Sequence, residues 1–258
     1  MTSHGRHGDG DEPLPDPTLA LEQPEPAAPT PPSPEGPDKA AVRLEDVQVN
    51  EELSLYIASA DRVMDAMGYT EHGFRHANLV ANIAYQVLSR LEYTQREATL
   101  GCVAGYLHDV GNALARDAHG QTGALLVYHA LQHDVPGHDL MPVLAAIANH
   151  EETEGTAVSP ISAAVILADK SDVHRSRVRK GGQVDRDIHD RVNFAVEQSF
   201  LRVDSDARTV SLELTIDTAI SQVMEYFEIF LGRMQMCRHA AESINARFRL
   251  IINGAELA

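Results

Sequence analysis

The chain has 258 residues, 43% of them hydrophobic, and a formal net charge of −17. That length and apolar content support one well-buried domain plus an appendage. The acidic balance excludes a broad nucleic-acid surface, which would need many cationic contacts, but it leaves room for a small anionic substrate held where positive charge is concentrated.

Ten of the thirteen prolines fall between Pro13 and Pro37, mixed with Asp, Glu, Ser and Thr. This stretch has too little large apolar surface to offset the entropy of ordering, so residues 1–43 are expected to form a disordered tail. The tail lacks the apolar core of a signal peptide, and no later run is long enough to cross a bilayer; a cytoplasmic protein with no membrane partner is expected. From Asn50 to about Arg177 the apolar periodicity is helical almost throughout. EELSLYIASADRVMDAMG closes at Gly68, a C-cap signal, and EHGFRHANLVANIAYQVLSRL carries Val80, Ile83, Val87 and Leu91 on one stripe. TQREATLGCVAGYLHDVG opens on a capping box, Thr94 with Glu97, and ends at His108-Asp109. Further helices read from GQTGALLVYHALQ, from LMPVLAAIANHEE and from SPISAAVILADKSDVHRSR, the last with Ser159 as N-cap and Pro160 in its first turn. Together these predict a helical domain over residues 44–190.

Beyond it, VNFAVEQSFLRVD and TVSLELTI carry apolar residues at a period of two on either side of a polar turn from Asp204 to Arg208, which predicts a β-hairpin. DTAISQVMEYFEIFLGRMQMCRHAAESI returns to helical spacing through Ile220, Val223, Met224, Phe227, Leu231 and Met234, and RFRLIIN predicts a third strand. The fold class is thus mainly α, with a small α+β appendage over residues 191–258. Surplus apolar surface on the appendage helix predicts a homodimer through this region. Cys102 and Cys237 lie far apart in apolar helices and fit reduced packing residues.

The dipeptide His-Asp occurs four times, at residues 108, 133, 138 and 189. Only His108-Asp109 ends an apolar helix and precedes a glycine, as a helix delivering ligands into a cavity would. The two pairs in LQHDVPGHDL surround Pro136 and Gly137 and read as a loop, and VDRDIHDR reads as a solvated surface. His76, His119, His150 and Asp169 stand at comparable helix boundaries. Any one of these alone is more often a hydrogen-bonded core histidine or a capping aspartate. Their common placement is what points to divalent-metal ligation, since neutral imidazoles and carboxylates are the ligands that such ions accept.

The order His76, then His108-Asp109, then Asp169 resembles the motif of the HD-domain superfamily of metal-dependent phosphohydrolases, whose fold is an α-helical bundle. The resemblance covers roughly residues 50–180 and rests on YLHDVGN followed by a helix ending LADK. His119 in HGQTGA and His150 in NHEE are similar to the two extra histidines of the branch that binds two metals. The resemblance implies that His76, His108, Asp109 and Asp169 hold one divalent ion and Asp109, His119 and His150 the other, with Asp109 between them. Mn²⁺ or Fe²⁺ stand foremost as the ions, with Zn²⁺ or Mg²⁺ as alternatives. It further implies hydrolysis of a nucleotide or another small phosphate ester by a hydroxide shared between the ions, with Asp109 and His108 as catalytic residues.

Around this set, His72 precedes His76 by one helical turn and reads as a neighbour that supports the ligands, and Glu151 reads as solvated or water-orienting. Lys170, Arg175, Arg177, Arg179 and Lys180 crowd together in an otherwise acidic chain. Lys170, beside Asp169, is expected to act in catalysis and to contact the phosphate, with Arg175, Arg177 and Asn112 as further substrate contacts. The sequence departs from known branches: no Gly-Tyr-Pro follows NHEE and Asn112 replaces a lysine, unlike cyclic-di-GMP phosphodiesterases, and HDVGN lacks the acidic continuation of guanosine-tetraphosphate hydrolases. Two alternatives stand beside hydrolysis: a di-iron oxygenase resembling myo-inositol oxygenase, and a non-catalytic nucleotide sensor.

Overall fold

Among the described residues the chain opens on α1 (Leu44–Gln48), α2 (Glu51–Ala66), α3 (Phe74–Arg90), α4 (Gln95–Leu107), α5 (His119–Leu131), α6 (Gly137–Ala148) and α7 (Pro160–Ser171). This computed structural model describes residues 41–152, 155–179 and 187–257, together with Met1 and Val184. The disordered tail expected over residues 1–43 lies almost wholly outside the described residues, as does Lys180. Local chemistry starts the helices where the sequence predicts. The Asn50 side chain accepts the Leu53 N–H, Thr94 and Glu97 close their capping box, and Ser159 accepts the Ser162 N–H one residue before Pro160.

Helix α7 is the axis of the bundle. Every residue from Ile161 to Ser171 is buried, as expected of a helix that is apolar on all sides. Helices α3, α4 and α6 pack around it, and α3 and α4 lie against each other along their length. Gly105 allows that approach, because a Cβ there would sit 3.0 Å from the Val80 carbonyl oxygen.

After α7 come α8 (Ile188–Ala195), β1 (Val196–Asp204), β2 (Thr209–Ile216), α9 (Val223–Ser243), β3 (Arg247–Ile252) and β4 (Ala255–Glu256). The strands form one sheet in the order β1-β2-β3-β4, antiparallel except for the parallel pair β2 and β3. A parallel pair needs a long crossover, and α9 supplies it. One face of the sheet buries Val210, Leu212, Leu214 and Ile216 with Phe248, Leu250 and Ile252. Helix α9 packs against β3 on one side and α7 on the other. Residues Lys39–Ala258 make one compact unit.

Four local expectations are corrected. His138-Asp139 belongs to the first turn of α6, where buried Asp139 pairs with Arg96; Gly137 starts the helix instead of breaking it. Val192–Ala195 is the end of α8, and the strand begins at Val196, because burial of Val192, Asn193 and Ala195 follows a helical turn. The appendage has a fourth strand, the two residues of β4. Helix α9 starts at Val223, and its buried stripe is Tyr226, Phe230, Met234, Cys237 and Ala241; Met224 and Leu231 are exposed.

Candidate metal centre

Five helix ends deliver the cluster. His76 stands in the first turn of α3, His108 and Asp109 follow the last turn of α4, His119 opens α5, His150 follows α6, and Asp169 sits in the last turn of α7. Two backbone features bring these ends together. Gly111 lies so close to α5 that a Cβ would come within 1.9 Å of the His119 carbonyl oxygen. Ala118, just before His119, takes a left-handed φ of 54°, a conformation that costs a non-glycine residue roughly 1–2 kcal/mol. Strain of this kind persists where surrounding structure imposes it.

All four histidines are at most 1% exposed, and each turns its Nδ1 outward to an acceptor. His76 Nδ1 donates to Asp172 at 2.7 Å, His108 to the Gly105 carbonyl at 2.8 Å, His119 to the Arg116 carbonyl at 3.0 Å and His150 to the Ile147 carbonyl at 2.7 Å. Those acceptors fix the tautomer, so each Nε2 presents a lone pair inward. The inward atoms then crowd: His76 and His108 Nε2 are 3.2 Å apart, and His119 and His150 Nε2 are 3.0 Å apart. Two lone pairs at such a distance repel unless a cation lies between them.

The carboxylates complete this donor set. Asp109 Oδ2 is 3.3 Å from His108 Nε2 and 3.6 Å from His76 Nε2, whereas its Oδ1 is 3.4 Å from His119 Nε2 and 3.7 Å from His150 Nε2. Asp169 Oδ1 faces His76 at 3.4 Å and His108 at 3.6 Å. Three overlapping groups thus have donor atoms within 4.8 Å of one another: His76 with His108 and Asp109, His108 with His150 and Asp169, and Asp109 with His119 and His150. Buried imidazole nitrogens and carboxylate oxygens with no inward hydrogen are a donor set that fits divalent cations.

The electrostatics agree. Burial opposes ionisation of Asp109 and Asp169, yet His108 and, for Asp169, Lys170 hold both carboxyls well below the usual range. Burial also opposes a charge on His108, but Asp109 and Asp169 overcome it and raise its pKa to about 10. Burial, aided by the charges of His108, His119 and Lys170, pushes His150 down to about 4.

Other expected residues fall into different places. Asn112 is buried and donates to Asp109 Oδ1 at 2.8 Å. Lys170, 2% exposed, places its Nζ 2.7 Å from Asp169 and 3.2 Å from Glu152. Arg177 is buried against Asp172 and the Glu71 carbonyl. Arg175 pairs with Glu197 at 3.0 Å and lies over the Phe194 ring, which groups it with α8 and β1. His72 anchors its Nδ1 on the Thr70 carbonyl at 2.6 Å, beside the His76 ring. Glu151 contacts His119 Nε2 at 3.2 Å and Arg116 at 3.4 Å.

Four residues were missed by the sequence reading. Asp172 holds His76, Arg75 and Arg177 together, and it lies three residues after Asp169 on the same helix end, a spacing that carried a signal. Arg116 touches Asn112, His119 and Glu151. Glu152 joins Lys170 to Arg233 of α9, which lies 2.8 Å away. Nothing in local sequence foretells that last pair.

Comparison with known proteins reaches the same region. The chain is 26% identical over 185 residues to the uncharacterized protein MJ1020 of Methanocaldococcus jannaschii, an alignment covering 62% of this chain and 70% of the relative. Residues 73–176 match the HD domain family, whose superfamily consists mostly of metal-dependent hydrolases. The matched stretch contains all six clustered histidines and aspartates, so the chain carries an HD domain at residues 73–176.

Proposed function

We propose that the chain is a metal-dependent phosphohydrolase acting on a nucleotide or another small phosphate ester, with two divalent ions at the cluster. The observation supporting this reading is the division of Asp109: one oxygen faces His76 and His108, the other faces His119 and His150. His76, His108, Asp109 and Asp169 would hold one ion, and Asp109, His119 and His150 the other. When bound, such ions supply Lewis acidity that lowers the pKa of water and neutralises charge on a phosphoryl group.

The protein's own part is positioning. Asn112 orients Asp109 through its amide, Asp172 fixes the His76 ring, and Lys170 keeps Asp169 ionised and in place. Arg116, beside His119, brings a planar fork suited to phosphate oxygens.

Elemental analysis of purified protein, with a phosphoester panel under Mn²⁺, Fe²⁺ and Zn²⁺ in the absence of oxygen, tests the reading. Turnover without oxygen is expected. Oxygen-dependent consumption of a polyol would replace it with the di-iron oxygenase, and tight nucleotide binding without turnover would replace it with the sensor. Asp109→Ala is expected to abolish hydrolysis while Asp134→Ala, in the turn after α5, leaves it nearly intact; full activity in Asp109→Ala overturns the site.

A further inference from the structure

Asp169 divides its two oxygens between two tasks. Oδ1 faces His76 Nε2 at 3.4 Å and His108 Nε2 at 3.6 Å, on the inner side of the cluster, while Oδ2 accepts from Lys170 Nζ at 2.7 Å. A carboxylate with one oxygen tied back cannot swing, so the Lys170 contact fixes where Oδ1 points.

Helix geometry alone does not make that contact. Neighbours i and i+1 on a helix do not face each other, and Asp169 and Lys170 are consecutive in the last turn of α7. The lysine must bend back to reach its neighbour, and its flexible four-carbon stem stays bent only where its head is held. Glu152 holds it, with Oε1 3.2 Å from Lys170 Nζ. The same oxygen stands 2.8 Å from Arg233 Nε. Arg233 is fixed in turn by lying over the ring of Phe230, one turn earlier on α9, at 4.6 Å from its centroid.

Asp169, Lys170, Glu152 and Arg233 thus form a line of charges of alternating sign, and none of the four side chains is more than 25% exposed. Burial makes each member depend on the next, because a charge left without its partner there is costly. Without Arg233, Glu152 keeps a single cation and draws Lys170 toward itself and off Asp169. Charge alone would act the other way: a cation lost from beside the cluster would tighten a divalent ion. Positioning and simple charge therefore differ in sign.

We propose that Arg233 is a positioning residue of the metal centre, which acts through Glu152 and Lys170 to set the Asp169 carboxylate toward the ion shared with His76, His108 and Asp109. Helix α9 lies beyond residue 176, where the family match ends, so the C-terminal region contributes to the centre from outside the matched domain. The inference rests on the metal-binding part of the proposed function and not on the ester hydrolysed.

Mn²⁺ binding to the full chain, read without substrate by competition with a chromophoric chelator, tests it. Arg233→Gln is expected to weaken one Mn²⁺ equivalent about tenfold, the low end of what an outer partner of a ligand contributes. Arg233→Lys, which returns a cation to Glu152, should recover most of that loss. Glu152→Gln should weaken Mn²⁺ to a similar extent, and joining it to Arg233→Gln should add little, because members of one network do not act additively. Should Arg233→Gln not fold, Arg233→Met, whose stem still packs on Phe230, is read in its place. Unchanged or tighter Mn²⁺ binding in the Arg233 variant, or losses that add in the double variant, would overturn the proposal. So would a raised KM for a phosphoester that persists at saturating Mn²⁺, which would make Arg233 a substrate contact instead. A wild type that binds no Mn²⁺ would overturn both this inference and the metal reading, whereas failure to turn over any phosphoester would remove the hydrolase reading and leave the Mn²⁺ comparison intact.

Discussion

Asp172 shows how one buried carboxylate outside the cluster can govern its neighbourhood through a single ligand candidate. It accepts from His76 at 2.7 Å and from Arg75 at 2.8 Å and faces Arg177 at 3.6 Å. Burial would raise its pKa, but the charge of Arg177 and the His76 hydrogen bond hold it well below the usual carboxylate range. A depressed folded-state pKa stabilises the protein fully above the unfolded value of about 4, and the contribution is lost as pH falls below that. The gap in melting temperature between wild type and Asp172→Asn should therefore be widest near neutral pH and close on acidification toward pH 2. At pH 7, Asp172→Ala should cost on the order of 3–5 kcal/mol, because buried Arg177 loses its counter-charge, and metal affinity should fall about 10–100-fold. Denaturant titration and metal competition check both. His119→Ala and His150→Ala make a contrasting pair: each should retain about one metal per chain instead of two, and unchanged stoichiometry in both would refute a paired site. At this scale the sequence is informative wherever a ligand candidate ends an apolar helix, as His108 and Asp169 do. It is silent on Glu152 and Arg233, whose meeting depends on how two distant helices pack.

Helix ends are where this chain places its chemistry, so the backbone around them is under tension. Gly111→Ala should prevent folding or cost several kcal/mol, since backbone atoms of α5 occupy the space a Cβ needs. Ala118→Gly should instead stabilise the protein by up to about 1 kcal/mol, because glycine takes the left-handed conformation without penalty. Gly232→Ala, in the middle of α9 with nothing within 4 Å of its Cβ position, should stabilise by a similar amount through helix propensity. Thermal melts of the three variants give the comparison, and a stable Gly111→Ala protein would contradict the packing described. Capping signals made α4 and α7 legible, because Thr94 and Ser159 act within one turn of themselves. The parallel pairing of β2 with β3 was not, because strand direction is set by where α9 returns the chain and not by alternation within RFRLII.

For the molecule as a whole, the sequence carries a formal charge of −17, and no helix among the described residues is long and apolar enough to cross a membrane. Met224 and Leu231, 66% and 51% exposed, share the outer face of α9 with half-buried Phe227. We propose that this face joins two copies of the chain; light scattering at micromolar concentration should give a dimer, Leu231→Glu should give a monomer, and a monomeric wild type would count against the proposal. The crossover of α9 between β2 and β3 also sets an order of events during synthesis. All six metal-ligand candidates precede residue 170, so they leave the ribosome well before Arg233, and α9 is locked in place only once β3 has emerged behind it. A nascent chain could therefore gather its histidines before α9 packs on α7 and Arg233 reaches Glu152, so that under the proposed function the metal centre would be built ahead of the helix that supports its rim.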